Sequence, residues 1–256
     1  MPPPFSGNQL AKLGRRLAQP GPISDEDYEI LAEVAEAYQA VLDKVEERLG
    51  RLGYQATTRV KTTGTLVDKL RRTPQIAFGS IHDVAGARIV IDGGRWEQDQ
   101  VIDRILGAFA DCPKAPQKID RRAQPSHGYR AVHVIVFVDS TPVEIQVRTK
   151  LQDTWAQVTE KLGDTWGRWL RYGEEPDQLD TLLDPGNPES WTRRKLVETL
   201  NSTSDAIHTI EAGEHQVAAA EHQLTEVKTK VAAAVESAQV LMDTMLTTVK
   251  RWEGPK

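Results

Sequence analysis

Cys112 is the sole thiol in this 256-residue chain, so intramolecular disulfides are impossible and a cysteine-built zinc site is not supported. No apolar stretch reaches bilayer length; the longest run, AVHVIVFV at 131–138, is broken by His133. The first residues, MPPPFSGNQLAKLGRRL, lack an apolar core of signal-peptide length. Neither GxxxxGK[ST] nor GxGxxG occurs, so the phosphate-loop and dinucleotide folds lack their motif. These absences point to a cytoplasmic protein without a membrane role.

What is present suits a folded domain: 39% apolar and 27% charged residues argue against disorder. The net charge of −5 excludes a general polycation and, with it, non-specific DNA binding. Positive charge is nevertheless concentrated. In RVKTTGTLVDKLRR (59–72) basic residues outnumber a single acid, and DRR follows at 120–122. Local basic clusters on an acidic chain suit a phosphate-rich ligand, or a solvated face.

Leu10, Leu13 and Leu17 mark a short helix over 7–18, stopped by Pro20-Gly21-Pro22. A stronger helix starts after Ser24, with Asp25, Glu26 and Asp27 in its first turn, and runs to Gly50. ARIVI (87–91) reads as a buried strand and DQVIDRILGAF (99–109) as an amphipathic helix. AVHVIVFV and PVEIQVRT flank Asp139-Ser140-Thr141 and are expected to pair as an antiparallel hairpin. This order predicts an α+β fold, a mixed, mostly antiparallel sheet packed with helices.

Residues 151–170 read as helix and 173–190 as a Pro-, Gly- and acid-rich linker. Beyond it Ile210, Val217, Leu224, Val231, Ala238 and Met245 recur every seven residues, with Ala220, Val227, Ala234 and Leu241 three later. That heptad seam predicts a long helix packed on another helix or another subunit. His208, His215 and His222 also repeat by seven, opposite the seam. They are expected to face outward, and a spacing of about 10 Å along the axis argues against a shared metal.

The chemistry centres on TPVEIQVRT (141–149). Val143, Ile145 and Val147 point one way, while Glu144, Gln146 and Arg148 point the other. Asp83 precedes the strand at 87–91. If the two strands adjoin, Asp83 and Glu144 converge, and two carboxylates plus substrate phosphates make a usual Mg²⁺ site. Arg59, Lys61, Lys69 and Arg88 are placed to balance phosphate charge.

Residues 59–69 (RVKTTGTLVDK), 82–88 (HDVAGAR), 128–133 (GYRAVH), 144–149 (EIQVRT) and 155–161 (WAQVTEK) resemble, in order, the synthetase domain of the RelA/SpoT family. The resemblance implies a nucleotidyltransferase-like fold that moves the β,γ-pyrophosphate of ATP to the 3′-hydroxyl of GDP or GTP. It implies that Asp83 and Glu144 hold Mg²⁺ and that Glu144 helps deprotonate the hydroxyl. Arg59 would stack on adenine, with Lys61, Thr65, Lys69 and Arg88 at the ATP phosphates. Tyr129 would stack on the acceptor base, His133 and Gln146 would line its pocket, and Arg148 and Glu160 would support the site. It divides the chain into N-terminal helices (1–50), a synthetase domain (51–172), a linker (173–190) and a C-terminal helical region (191–256).

Departures concern the acceptor side. Arg121 stands where the family usually has tyrosine, Pro125-Ser126 where it has Pro-Lys, and Lys161 where histidine is common. The resemblance is confined to the synthetase region, so the chain is expected to lack the family's hydrolase and ribosome-binding regions and to be one of its small stand-alone members. Some of these make alarmones; a toxin branch instead modifies the 3′ end of tRNA, and Arg121 with Arg122 would suit that polyanion. The C-terminal helices would then form a homo-oligomer or receive an antitoxin. A nucleotide sensor without catalysis is the remaining alternative.

Overall fold

The computed structural model describes residues 5–167, 179–183, 186–187 and 189–252, with side chains in the last helix as far as Met242. Two helices open the chain. Ser6 caps α1 (Gly7–Leu17) through the Gln9 amide, and Ser24 caps α2 (Asp25–Arg51) through the Asp27 amide. Asp27 is also buried, held by the Arg16 guanidinium at 2.9 Å, which locks the two helices together. The α2 stripe from Leu31 to Leu49 lies in the main core, as its spacing predicts.

Five strands form one sheet in the order β1-β2-β5-β4-β3. They are β1 (Thr57–Val60), β2 (Ala85–Ile91), β3 (Lys114–Asp120), β4 (Val132–Val138) and β5 (Thr141–Thr149). Only β2 and β5 run parallel; the other three pairings are antiparallel. The expected hairpin is present, turned by Asp139 and Ser140 at φ 49° and 65°. Two successive positive φ values make the type I′ turn whose twist matches the strands it joins. β3 sits at the sheet edge, mostly exposed and rich in lysine and proline, a composition that discourages further strand pairing.

Alternation along β5 divides the molecule. Val143, Ile145 and Val147 are fully buried beneath α2 and α4 (Arg95–Ala108). The opposite face, carrying Glu144, Gln146 and Arg148, is flanked by α3 (Thr63–Arg72) and α5 (Lys150–Trp166). Helix α5 ends at Gly167, whose φ of 101° is left-handed. The expected continuation over 168–170 and most of the linker at 173–190 lie outside the described residues.

The last helix, α6 (Arg193–Trp252), reverses one expectation. The histidines expected to point outward face the domain instead. His208 Nδ1 lies 2.5 Å from Arg95, His215 Nε2 lies 3.4 Å from Asp99, and the Trp96 ring lies tilted against those of His215 and His222. The heptad seam is the outward face: Ile210, Val217, Leu224 and Val231 are each more than half exposed. The cause is polar docking, since α4 offers a guanidinium, an indole and a carboxylate here rather than an apolar groove. Met245, the last seam residue, lies beyond the described side chains.

The start of α6 belongs to the core around α5. Ile207 packs on Trp155 and Ala156, and Trp155 Nε1 donates to the Leu200 carbonyl at 2.7 Å. Glu211, 2% exposed, accepts from Gln152 at 2.7 Å and from the Thr149 hydroxyl, with Arg95 at 3.5 Å. Within the described residues, the C-terminal region expected at 191–256 is therefore one helix, Arg193–Trp252, whose first part is packed on the sheet domain. No helix among the described residues is long and apolar enough to cross a membrane.

Candidate active site

The polar face of the sheet opens into two adjoining cavities of about 450 and 330 Å³. They share a wall made by Arg59, Lys61, Lys69, Asp83 and Glu160. The smaller lobe lies between β1, α3 and α5 and includes Thr65 and Arg72. The larger reaches over β4 and β5 to the loop before β4, lined by Arg121, Tyr129, His133, Glu144, Gln146 and Arg148. Thr62 caps α3, so the helix N-terminus, with its free amides, points at the smaller lobe.

Asp83 joins the lobes. Lys61 Nζ and Lys69 Nζ each lie 2.7 Å from one of its oxygens. Burial pushes the Asp83 carboxyl upward, but the two ammonium groups outweigh that and hold it below the ordinary carboxylate range. Parallel pairing sets Gly86 beside Glu144, so the β2 approach carrying Asp83 runs next to β5. The carboxylates feel each other: Asp83 raises the cost of ionising Glu144.

Glu144 is held by a directed chain of hydrogen bonds. The Arg148 guanidinium donates to the Tyr129 hydroxyl at 3.0 Å and to Gln146 Oε1 at 2.8 Å. Tyr129 in turn lies 2.9 Å from His133 Nε2. Because Arg148 can only donate, the tyrosine proton goes to His133 Nε2, leaving Nδ1–H for Glu144 Oε1 at 2.9 Å. Gln146 Nε2 donates to Glu144 Oε2 at 2.7 Å. Burial raises the Glu144 pKa, but His133 and Gln146 more than offset it, so the group sits below its ordinary value. Burial likewise pushes the Tyr129 phenol up, which keeps its proton in place. Asp153 anchors the chain by accepting from Arg148 at 2.9 Å.

The loop before β4 is a second tight hairpin. Ser126 and Tyr129 exchange backbone hydrogen bonds, and His127 and Gly128 between them have φ values of 50° and 79°. This turn drops Tyr129 into the larger lobe. It is backed by α6, where Ser204 Oγ donates to the Gly128 carbonyl at 2.5 Å and Arg130 reaches Ser204 and Asp205.

The structure thus gathers Asp83, Glu144, Arg59, Lys61, Thr65, Lys69, Tyr129, His133, Gln146, Arg121, Arg148 and Glu160 around the two lobes. Two expectations change. Arg122, expected at the acceptor pocket, is buried and faces α4, paired with Asp120 at 2.6 Å and Asp99 at 2.8 Å and bonded to Gln98. Its carboxylate partners satisfy the guanidinium within the fold. Arg88 shares the polar face but lies behind the lobes, 3.4 Å from Glu160 and 3.7 Å from Asp153. Tyr129 already faces the Arg148 guanidinium at 5.0 Å, which restricts the ring.

Several lining residues escaped the sequence reading: His82, Ser126, His127 and Trp155, together with the anchor Asp153. His82 is adjacent to Asp83 and was within reach of a search for paired polar residues. Asp153 was not, because its partners stand on different elements.

The sequence profile described as "Region found in RelA / SpoT proteins" matches residues 58–163, the stretch that lines both lobes. Uncharacterized proteins of Mycobacterium bovis and Mycobacterium tuberculosis are each 36% identical over 189 residues, covering 72% of this chain and 68% of theirs. The chain belongs to the RelA/SpoT family. Among solved structures, the small alarmone synthetase 1 of Bacillus subtilis bound to its product pppGpp shares the family fold at a TM-score of 0.54. It is 19% identical, with 77% of this chain and all of that one covered. The small alarmone synthetase 2 of the same organism gives 0.50 at 20% identity, over 76% and 98% of the two chains.

Proposed function

We propose that this RelA/SpoT-family protein moves the β,γ-pyrophosphate of ATP to the ribose 3′-hydroxyl of GDP or GTP. The observation that carries this reading is the placement of two carboxylates held below their ordinary range, Asp83 in the wall shared by the cationic and the aromatic-lined lobe and Glu144 in the larger lobe. ATP occupies the smaller lobe, its phosphates facing Lys61, Lys69 and the α3 N-terminus, with Arg59 at the adenine. The acceptor occupies the larger lobe beside Tyr129, His133, Gln146 and Arg121. Glu144 takes the 3′-hydroxyl proton as the oxygen attacks the β-phosphorus. The bond to the α,β-bridging oxygen breaks and AMP leaves.

Asp83 and Glu144 also suit Mg²⁺, because two anionic oxygens that repel each other are a fitting protein share for that ion. When bound, Mg²⁺ supplies charge neutralisation at the transferred phosphates. Withdrawal of Arg122 into the fold leaves Arg121 as the cation of this arginine pair at the pocket, which favours a nucleotide over a tRNA acceptor.

The test is a transfer assay with γ-labelled ATP and Mg²⁺, offering GDP, GTP, AMP and deacylated tRNA separately, with Glu144→Gln as the blank. Label on a guanine nucleotide, absent in the blank, is expected. Label on tRNA reassigns the protein to the translation-blocking branch, and ATP binding without any transfer leaves a sensor.

A further inference from the structure

Beyond Ile207, helix α6 meets its own chain through His208, Glu211, His215 and His222 and turns its apolar stripe to solvent. From Glu221 to Met242 every described residue is exposed, including Leu224, Val227, Val231, Val235 and Leu241. A helix gains most of its stability by packing one face, so this stretch calls for an occupant. Its charge pattern says which. In heptad terms Ile210, Val217, Leu224 and Val231 take position a, Ala220, Val227, Ala234 and Leu241 take d, and Glu221 and Lys228 flank the seam at e.

We propose that α6 forms a homodimer in which two copies pair antiparallel over residues 210–241, a contact about 47 Å long, around a two-fold axis beside residues 225 and 226. In an antiparallel pair each a residue faces a d residue, and e faces e. This register sets Ile210 against the partner's Leu241, Val217 against the partner's Ala234, and Leu224 against the partner's Val227. Each larger side chain of Val217 and Val231 meets an alanine, which evens the layers. It also sets Glu221 against the partner's Lys228, twice by symmetry. A shift of one heptad in either direction opposes Glu221 to Glu221 or Lys228 to Lys228. A parallel pair stacks Ala220 on Ala220 and Ala234 on Ala234, leaving thin layers, and gives Glu221 no lysine. The seam is therefore self-complementary in one orientation and one register. This inference is independent of the chemistry proposed for the cavity.

Sedimentation equilibrium of the full chain at ~10 µM should give twice the 28.5 kDa chain mass. Glu221→Lys and Lys228→Glu alone should each weaken the dimer about tenfold, since two attractions become two repulsions. Mixing the two single variants, or combining both changes in one chain, should restore it. In a Cys112→Ser background, Ile210→Cys and Leu241→Cys chains should cross-link to each other. A monomeric wild type, a dimer indifferent to both reversals, or Ile210→Cys chains that cross-link only to themselves would overturn the proposal.

Discussion

Glu144 owes its ionisation to two neighbours that donate to its two oxygens, His133 from the facing strand and Gln146 from its own. Glu144→Gln removes the proposed proton acceptor while keeping the shape, so transfer should fall by about 10²–10⁴-fold in the γ-label assay. His133→Ala leaves the upward push of burial less opposed. The acid limb of the kcat/KM profile should then move to higher pH, and an unmoved limb would show that His133 does not tune the carboxylate. Stability follows the same sign. The folded-state values of Asp83 and Glu144 lie below their ordinary 3.8 and 4.5, so their contribution is complete above those values and is lost as pH falls through the depressed ones. Urea midpoints should therefore show a decline below about pH 4 that Asp83→Asn and Glu144→Gln reduce.

At the scale of elements, the Ser126–Tyr129 turn is fixed by what presses on it. A Cβ on Gly128 would meet the Trp155 ring at 2.7 Å and Asn201 Oδ1 at 2.8 Å, and φ there is 79°. Gly128→Ala should therefore cost about 1–3 kcal/mol and raise KM for the acceptor more than for ATP, by steady-state kinetics. The buried Glu211 ties α6 to α4 and α5. Glu211→Ala strands the Arg95 guanidinium and should lower stability by about 3–5 kcal/mol in urea unfolding. Legibility differed among elements for physical reasons. The alternation in β5 located Glu144, Gln146 and Arg148 because a half-buried strand has a strict period of two. Strand β3 left no such trace, since an exposed edge has no buried face to pattern. The histidine face of α6 was misjudged because a heptad marks where apolar residues align, and α6 docks through polar groups. Arg122 was misassigned because pairing with Asp99, over 20 residues away in sequence, becomes visible only once α4 is packed on the sheet.

For the whole molecule, α6 connects the catalytic cavity to the exposed seam. Its first turns hold Gly128 and Trp155, and its later ones carry the proposed dimer contact. Association selective for the native chain raises apparent stability with concentration, so the melting temperature should climb between about 1 and 100 µM protein. A melting temperature independent of concentration would separate the seam from folding. The α+β class and the mixed sheet were readable from sequence, whereas β1, α3, β3 and the merging of α6 with the sheet domain were not. That merger depends on long-range pairs such as Glu211 with Gln152 and Arg130 with Asp205.

Trp96 is set 5.8 Å from His215 and 5.2 Å from His222, ring to ring. Ring contact with imidazoles perturbs an excited indole, so this cluster is an optical gauge already present in the chain. Emission from Trp96, taken as the difference between wild type and Trp96→Phe, should change when α6 leaves α4 and the ring contacts are lost. Detachment of the helix can thereby be timed in milliseconds, without a dye and without interrupting turnover.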